Sequence, residues 1–515
     1  MRAGSAGDGI GFKRMSTRPD ASLTLTQTHS AHASTRRSMA GLAVIGLGAS
    51  IAPLDFSVNI AFPAITAAFG LETRGIRWVA VSYVLTYGSL MLAFGALGDR
   101  IGHLRVFRAG LLLGALAFSL CAIAPSYAWL LSARVLQGIA VALTLSCAPA
   151  LATALVHENR RTWALSMYGG MSALAGVVAP LAGGVTMAAL GWPGVYWFRV
   201  PVVLLAFACV PLLARRLTVP LLARRLTVPL LGHRLTAPPL PQRAAFDVMG
   251  MTLLAASSAL LLLAPAIMRP EALLWPALPL ALCGTILMVW FVARQRRAIT
   301  PFLPHAVVRD PDFVLPNLAA VVVQSTSFAI PLILPFYLTR IGGWTPLATG
   351  MLLACWAVGA LGGAALAPAL VRALGVRRAA LAGGVLVAFG LAAITQWPPV
   401  PQWLLMVACL LVQGIGIGLY QVAYTDIVAA ALPVSQRGVA GSLTMVTRTI
   451  GIVLGVSLLT WILQSVETAA LARGVDARTA FMAGFEAVFM GAALTAGACF
   501  ALTSLRRTVW FGRRD

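Results

Sequence analysis

Stretches of about twenty or more predominantly apolar residues follow one another along almost the whole of this 515-residue chain. A helix of ~20 residues crosses a hydrocarbon core of ~30 Å. In lipid every backbone N–H and C=O must be satisfied within the segment, so a succession of such stretches can only be a helical bundle. Fourteen spans are predicted, at 39–64, 78–98, 104–124, 127–152, 163–189, 192–213, 247–267, 273–293, 314–338, 347–371, 379–397, 403–431, 441–463 and 484–504. Hydrophobic residues make up 59% of the chain and charged residues 10%. Soluble domains carry about 25% charged residues, so a large soluble enzyme is excluded.

The charges that remain are unevenly placed. Lys and Arg number 38 against 15 acidic residues, a formal net charge of +23. In a soluble protein that excess would point to nucleic acid. Here it lies in the connections, where basic residues set orientation, and no nucleic acid partner is expected. Connections after even-numbered spans hold Arg100, Arg105 and Arg108, then Arg160 and Arg161, the 211–246 segment, Arg294, Arg296, Arg297 and Arg309, then Arg372, Arg377 and Arg378, and Arg437. Those after odd-numbered spans hold only Arg74 and Arg77, Arg269, Arg340, and Arg473 and Arg478. The bias puts the even-side connections and both termini in the cytoplasm, with membrane lipid around the spans.

Several chemistries are absent. Lys13 is the single lysine, in Gly11-Phe12-Lys13-Arg14, so there is no P-loop. The seven cysteines (Cys121, Cys147, Cys209, Cys283, Cys355, Cys409 and Cys499) all lie in apolar runs without a CxxC. No disulfide framework, metal site or cofactor is expected.

The chain divides into a disordered cytoplasmic tail (1–38, with Met15 as a second candidate start), a six-helix bundle (39–213), a basic cytoplasmic loop (214–246), two linker helices (247–293), a cytoplasmic loop (294–313), a second six-helix bundle (314–505) and a cytoplasmic tail (506–515). Pro211–Val219 and Pro220–Val228 both read PLLARRLTV, and Pro229–Ala237 reads PLLGHRLTA. This tandem repeat is either a polybasic segment lying on anionic lipid or a tolerated expansion of a loop. A weaker repeat relates the two bundles: Leu97 and Gly102 after span 2 align with Leu370 and Gly375 after span 10.

Ionisable groups inside spans are the strongest functional signal. A charge in the bilayer costs about 2.5–3.5 kcal/mol or more, and such groups mark proton and substrate routes. Span 1 contains Leu54-Asp55-Phe56-Ser57-Val58-Asn59-Ile60-Ala61-Phe62-Pro63, with Asp55 and Asn59 four apart on one helix face. Span 4 contains Leu131-Ser-Ala-Arg134-Val-Leu-Gln137-Gly138, with Arg134, Gln137 and Gly138 on one face. The connection after span 2 reads Gly95-Ala-Leu97-Gly-Asp99-Arg100-Ile-Gly102-His103-Leu-Arg105, and span 5 reads Gly176-Val-Val-Ala179-Pro180-Leu-Ala-Gly183-Gly184. Asp426 in span 12 and Arg448 in span 13 are at similar depth, either a structural pair or a second proton or cation site. Gln413, Tyr420 and Tyr424 form a polar-aromatic stripe that, with Asn59, Tyr87 and Gln137, either lines a substrate cavity or packs.

These segments resemble the major facilitator superfamily, specifically its fourteen-helix drug:proton antiporter branch, over about residues 39–505. Gly95–Arg105 looks like the family's G-x-L-(A/G)-D-R-x-G-R-(R/K) signature, with His103 in place of a basic residue. The resemblance implies a major facilitator fold with fourteen transmembrane helices arranged 6 + 2 + 6. It implies that Gly95, Asp99, Arg100, Gly102 and Arg105 latch one access state, that Asp55 and Arg134 couple protons, and that Gly176, Pro180, Gly183 and Gly184 form the antiporter motif. Gly191-Trp192 to Pro201 resembles the branch's G-W-R-W-x-F-x-x-N-x-P segment, but Arg199 replaces Asn.

The expected function is therefore proton-coupled export of lipophilic, cationic-leaning small molecules across a bacterial inner membrane, and not an enzymatic reaction. The alternatives are a dedicated exporter of one metabolite or a transport-inactive scaffold or sensor. Small-molecule substrate and protons are the expected partners; the sequence names no accessory export protein.

Overall fold

The computed structural model describes residues 39–72, 75–156, 160–213, 248–267, 277–296, 310–398, 400, 402–431 and 437–511. The expected tail 1–38, the repeats beyond 213 and residues 297–309 and 512–515 lie outside the described residues. Among the described residues the secondary structure is helical throughout.

The first helix, α1, is broken. It runs Met39–Ala49, turns, and resumes at Pro53–Ile60 at 40° to its first part. Pro53 has no N–H for the Ala49 carbonyl, which is where an apolar helix gives way. Then follow α2 (Arg77–Ile101), α3 (His103–Ala122), α4 (Tyr127–Ala154), α5 (Arg161–Leu190) and α6 (Gly194–Leu213). The pair α7 (Val248–Ala266) and α8 (Ala277–Arg296) comes next. The second group is α9 (Pro311–Arg340, with a turn at Phe328), α10 (Pro346–Leu374), α11 (Val376–Ile394), α12 (Trp403–Ala430), α13 (Arg437–Ala472) and α14 (Ala477–Leu505). Every predicted span coincides with one of these helices. Eleven helices are long and apolar enough to cross a membrane, thirteen if each bent pair is one span. Beyond 505, where only a tail was expected, Arg507–Phe511 forms a short helix, α15, with Val509 and Trp510 fully buried.

The weak repeat has a structural counterpart. Gly102 (φ 101°) ends α2 and begins α3, and Gly375 (φ 85°) ends α10 and begins α11. Both backbones lie where L side chains are strained, so glycine at these positions lets one helix turn directly into the next.

Helices α1–α6 pack among themselves, as do α9–α14. Without a hydrophobic drive between helices in lipid, close approach depends on small residues. Gly359 and Gly363 of α10 accordingly meet the backbone of α12 around Gly414 and Gly418. The two groups touch along α5/α10 and α2/α13, with further contacts from α1 to α9 and α10. At the α5/α10 seam the closest approach is at Gly184 and Pro180, which meet Pro346–Gly350. Toward the other end of α5, Gly169 and Gly176 face open space. The closest backbone approach at this seam thus lies toward the end holding the α9–α10 connection. Helix α7 touches both α2 and α13, while α8 packs on α7, with 11% of its span buried.

Candidate functional site

The break in α1 places Asp55 at the junction between a short turn of 3-10 helix, Pro53–Asp55, and the helix Phe56–Ile60. Its side chain points into the first bundle and is 13% exposed. Arg134 of α4 grips it with both terminal nitrogens, Nη1 to Oδ1 at 2.6 Å and Nη2 to Oδ2 at 2.9 Å. Such a paired geometry is the strong form of a charge-assisted hydrogen bond. The Arg134 Nε donates to the Val79 carbonyl of α2 at 2.8 Å, and the guanidinium lies 4.4 Å over the Tyr83 ring. Gln137 donates to Asp55 Oδ1 at 2.8 Å and accepts from Arg134 at 2.8 Å. The spacing of Arg134 and Gln137, three apart on one face, therefore delivers both to the same carboxylate.

A third partner was not anticipated. Arg199 of α6, fully buried, donates from Nη1 to Asp55 Oδ1 at 2.8 Å and from Nη2 to Ser57 Oγ at 2.6 Å. Phe118, Tyr196 and Phe198 surround its guanidinium at 5.3–5.8 Å. The available signal was an arginine in an otherwise uncharged apolar run, at the position where the sequence departs from its pattern. Its target was hidden, because the register of α6 against α1 is not written in either helix alone.

Other expected sites fall differently. Asp99 is 76% exposed and pairs with His103 at 3.1 Å across the Gly102 turn. Arg100 and Arg105 are exposed at the same end. The tightest approach between α2 and α4 is at Gly138, where a Cβ would stand 2.6 Å from Thr86 and 2.8 Å from the Tyr83 carbonyl oxygen; at Gly98 a Cβ would stand 3.0 Å from Cys147 Sγ, and Gly95 has only Ser146 at 3.9 Å. In α5, Gly183 packs on Ser57 and Gly184 on α10, whereas Gly176 does not pack, and Pro180 sits in a continuous helix.

The cavity assignments need correction. Gln413, Tyr420 and Tyr424 are buried between α9 and α12: Gln413 donates to Ser327 at 2.8 Å and accepts from Trp356, Tyr420 donates to the Pro316 carbonyl at 3.2 Å, and Tyr424 donates to Asn317 at 2.7 Å. They are satisfied within the second bundle. Gln137 and Asn59 are buried in the first, and Tyr87 is half-buried beside Tyr83. Asp426 and Arg448 do not pair. Asp426 is exposed at the end of α12, where it lines a cavity of about 410 Å³ with Asp310, Asp312 and Arg377. Arg448 stands across the α2/α13 seam near Tyr87. An inter-half aromatic contact was also missed: Phe56, next to Asp55, meets Trp356 of α10 edge-on at 5.9 Å. Among the described residues no group of three or more His, Cys, Asp or Glu is placed to hold a metal ion.

A family model described as the Major Facilitator Superfamily matches residues 39–305 and 317–509. The chain is 28% identical to a puromycin resistance protein of Streptomyces alboniger, over 89% of this chain and 88% of that protein. It is 23% identical to a riboflavin transporter of Clostridioides difficile, over 80% of this chain and 86% of that one. Its fold is similar to a bacterial homologue of the human lysosomal transporter spinster, solved inward-facing and unoccupied, with a TM-score of 0.64 at 15% identity, covering 93% of this chain and 99% of that one.

Proposed function

The chain belongs to the major facilitator superfamily of membrane transporters, and from that premise we propose that it is a drug:proton antiporter exporting lipophilic small molecules, cations among them, from the cytoplasm across a bacterial inner membrane. The observation that carries this reading is Asp55 clasped by Arg134 inside the membrane. A permanently charged arginine cannot trade its proton, so the carboxylate is the member of the pair that can. The end of the molecule away from the Gly184–Gly350 contact bears Arg100, Arg105, Arg372, Arg377 and Arg378. Arginine-rich connections face the cytoplasm, so in this reading the termini are cytoplasmic and, with the Gly184–Gly350 contact sealing the outer side, the conformation is open inward. In that state Asp55 is ionised and the cavity between the halves is open to cytoplasmic substrate. Closure on the inner side and protonation of Asp55 from outside would complete a rocking cycle. The exposed Asp99–His103 pair fits a latch disengaged in the inward-open state.

The test is ethidium efflux from cells lacking their own pumps, with wild type, Asp55→Asn and empty vector compared with and without a protonophore. Efflux lost in Asp55→Asn and in protonophore-treated wild type is expected. Efflux unchanged in Asp55→Asn would remove the proton role of Asp55. A dedicated metabolite transporter is the second reading, favoured by the similarity to a riboflavin transporter. Riboflavin belongs in the substrate panel for that reason. Transport of riboflavin with no efflux of any dye would decide for it.

A further inference from the structure

One carboxylate in the first bundle is shared by two guanidiniums. With Asp55 ionised, the cluster of Asp55, Arg134 and Arg199 carries one net positive charge; with Asp55 protonated it carries two. Arg134 is 1% exposed and Arg199 is fully buried. Buried like charges near each other are costly, and removing the only anion between them more so. Arg199 has no other acid: its Nη1 goes to Asp55, its Nη2 to Ser57, and its Nε has no hydrogen-bond partner among the described residues. The Tyr196 hydroxyl beside it is likewise without a partner. A side chain held this way is not placed for its own hydrogen bonding. It reaches Asp55 from the α3–α6 side, and being fully buried it is not open to substrate.

We propose that Arg199 is a positioning residue that keeps Asp55 deprotonated in the inward-open state, so that the meeting of α6 with α1 drives proton release toward the cytoplasm. This rests on the reading of Asp55 as the proton carrier. The two arginines come from different helices, α4 and α6, so Asp55 can keep Arg134 while losing Arg199. Uptake of a proton from outside then requires α6 to withdraw from α1, and the return of Arg199 expels it. The other titratable groups facing Asp55 are Tyr83 and Tyr87 of α2, Cys121 of α3 and Tyr196 of α6. All are neutral near neutral pH in their ordinary range, and the α5 residues packed here, Ala175, Ala179 and Gly183, carry no titratable group. The second positive charge is therefore Arg199 alone.

Protonation of Asp55 can be read without any substrate. Dicyclohexylcarbodiimide modifies carboxyl groups in their protonated form, and the Asp55 peptide reports the modification by mass. Purified full-length wild type, Arg199→Gln, Arg199→Lys and Ser57→Ala are labelled from about pH 4 to about pH 9. In Arg199→Gln the labelling midpoint at Asp55 should rise by at least about one pH unit, a tenfold change in proton concentration. Arg199→Lys, which keeps the charge, should stay near wild type. An unchanged midpoint in Arg199→Gln, or a rise in Arg199→Lys as large as in Arg199→Gln, overturns the proposal. If Arg199→Gln does not fold, Ser57→Ala decides: freeing the arginine from its anchor should move the midpoint the same way by less, and no movement overturns the proposal. The underlying reading fails separately, if Asp55→Asn still drives ethidium transport from a pH gradient in everted vesicles.

Discussion

A β-carbon on Gly350 of α10 would lie 3.2 Å from the Cα of Gly184 on α5, and 2.5 Å from the Pro180 carbonyl oxygen. The helices meet here backbone to backbone, with no side-chain end free to swing aside. In the rocking cycle proposed above, this contact belongs to one conformational state rather than to the fold.

Gly350→Val should therefore disfavour the inward-open conformation. Spin labels at positions 105 and 372, both at the end away from this contact, should report a shorter distance than in the parent protein. Ethidium efflux should fall at least about tenfold, since a cycle trapped in one state stops turning over. An unaltered distance distribution would show that the seam tolerates separation and is not the closing contact.

Tyr420 and Tyr424 give the opposite expectation. Their hydroxyls bond Pro316 and Asn317 inside the second bundle. Tyr420→Phe and Tyr424→Phe should each lower stability by about 1 kcal/mol, the net value of a buried hydrogen bond. The range of compounds exported should be unchanged. A growth-inhibition panel in which either variant alters resistance to some drugs and not others would return these residues to the cavity.

The short helix α15 anchors the second bundle from below. Arg377 donates to the Thr508 and Val509 carbonyls at 3.2 and 2.7 Å, Thr508 donates to Asp312 at 2.7 Å, and buried Trp510 donates to Thr503 at 2.9 Å. Trp510→Ala should destabilise the protein by about 3–5 kcal/mol, through lost packing and the cavity left behind. A thermal unfolding midpoint in detergent equal to the parent's would contradict this docking.

Asp476 caps α14, accepting from the Thr479 N–H at 3.0 Å. That N–H and the ones beside it favour the ionised form and hold its carboxyl below the ordinary aspartate range. A depressed carboxyl stabilises the fold above its unfolded value, ~3.9, and the contribution vanishes as pH falls through the folded value. Asp476→Ala should therefore melt lower than the parent at neutral pH. The two midpoints should converge only below about pH 4. A difference that persists unchanged into strong acid would assign the effect to something other than the carboxylate.

How much of this was legible depends on which physical constraint speaks. The spans were, because each helix must satisfy the bilayer by itself. Asp55 and Arg134 were, because a charge surviving in an apolar run is conspicuous and two of opposite sign suggest each other. Arg199 met the same test, yet it read as a departure from a pattern, since nothing in α6 says which helix its side chain reaches. The Gln413–Tyr424 stripe was visible, but a helical wheel cannot tell whether a polar face looks onto a cavity or onto Ser327 and Asn317 of a neighbour. Asp426 and Arg448 were matched by depth alone, and depth says nothing of azimuth: one points to the open end of α12, the other across to α2. The turn after Ala49 lay inside a span read as continuous from 39 to 64, so neither the break at Pro53 nor its use, to swing Asp55 inward, was legible.

The position of α7 makes the two seams unequal. Touching α2 on one side and α13 on the other, it roofs the seam between them, with α8 outside it. Nothing comparable covers α5 and α10 among the described helices. A membrane-dissolved compound approaching from the lipid thus meets an added helix pair on one flank and the bare α5/α10 seam on the other. The molecule has a front and a back with respect to the plane of the bilayer: lipid touches the seam directly on one side and reaches α7 and α8 first on the other.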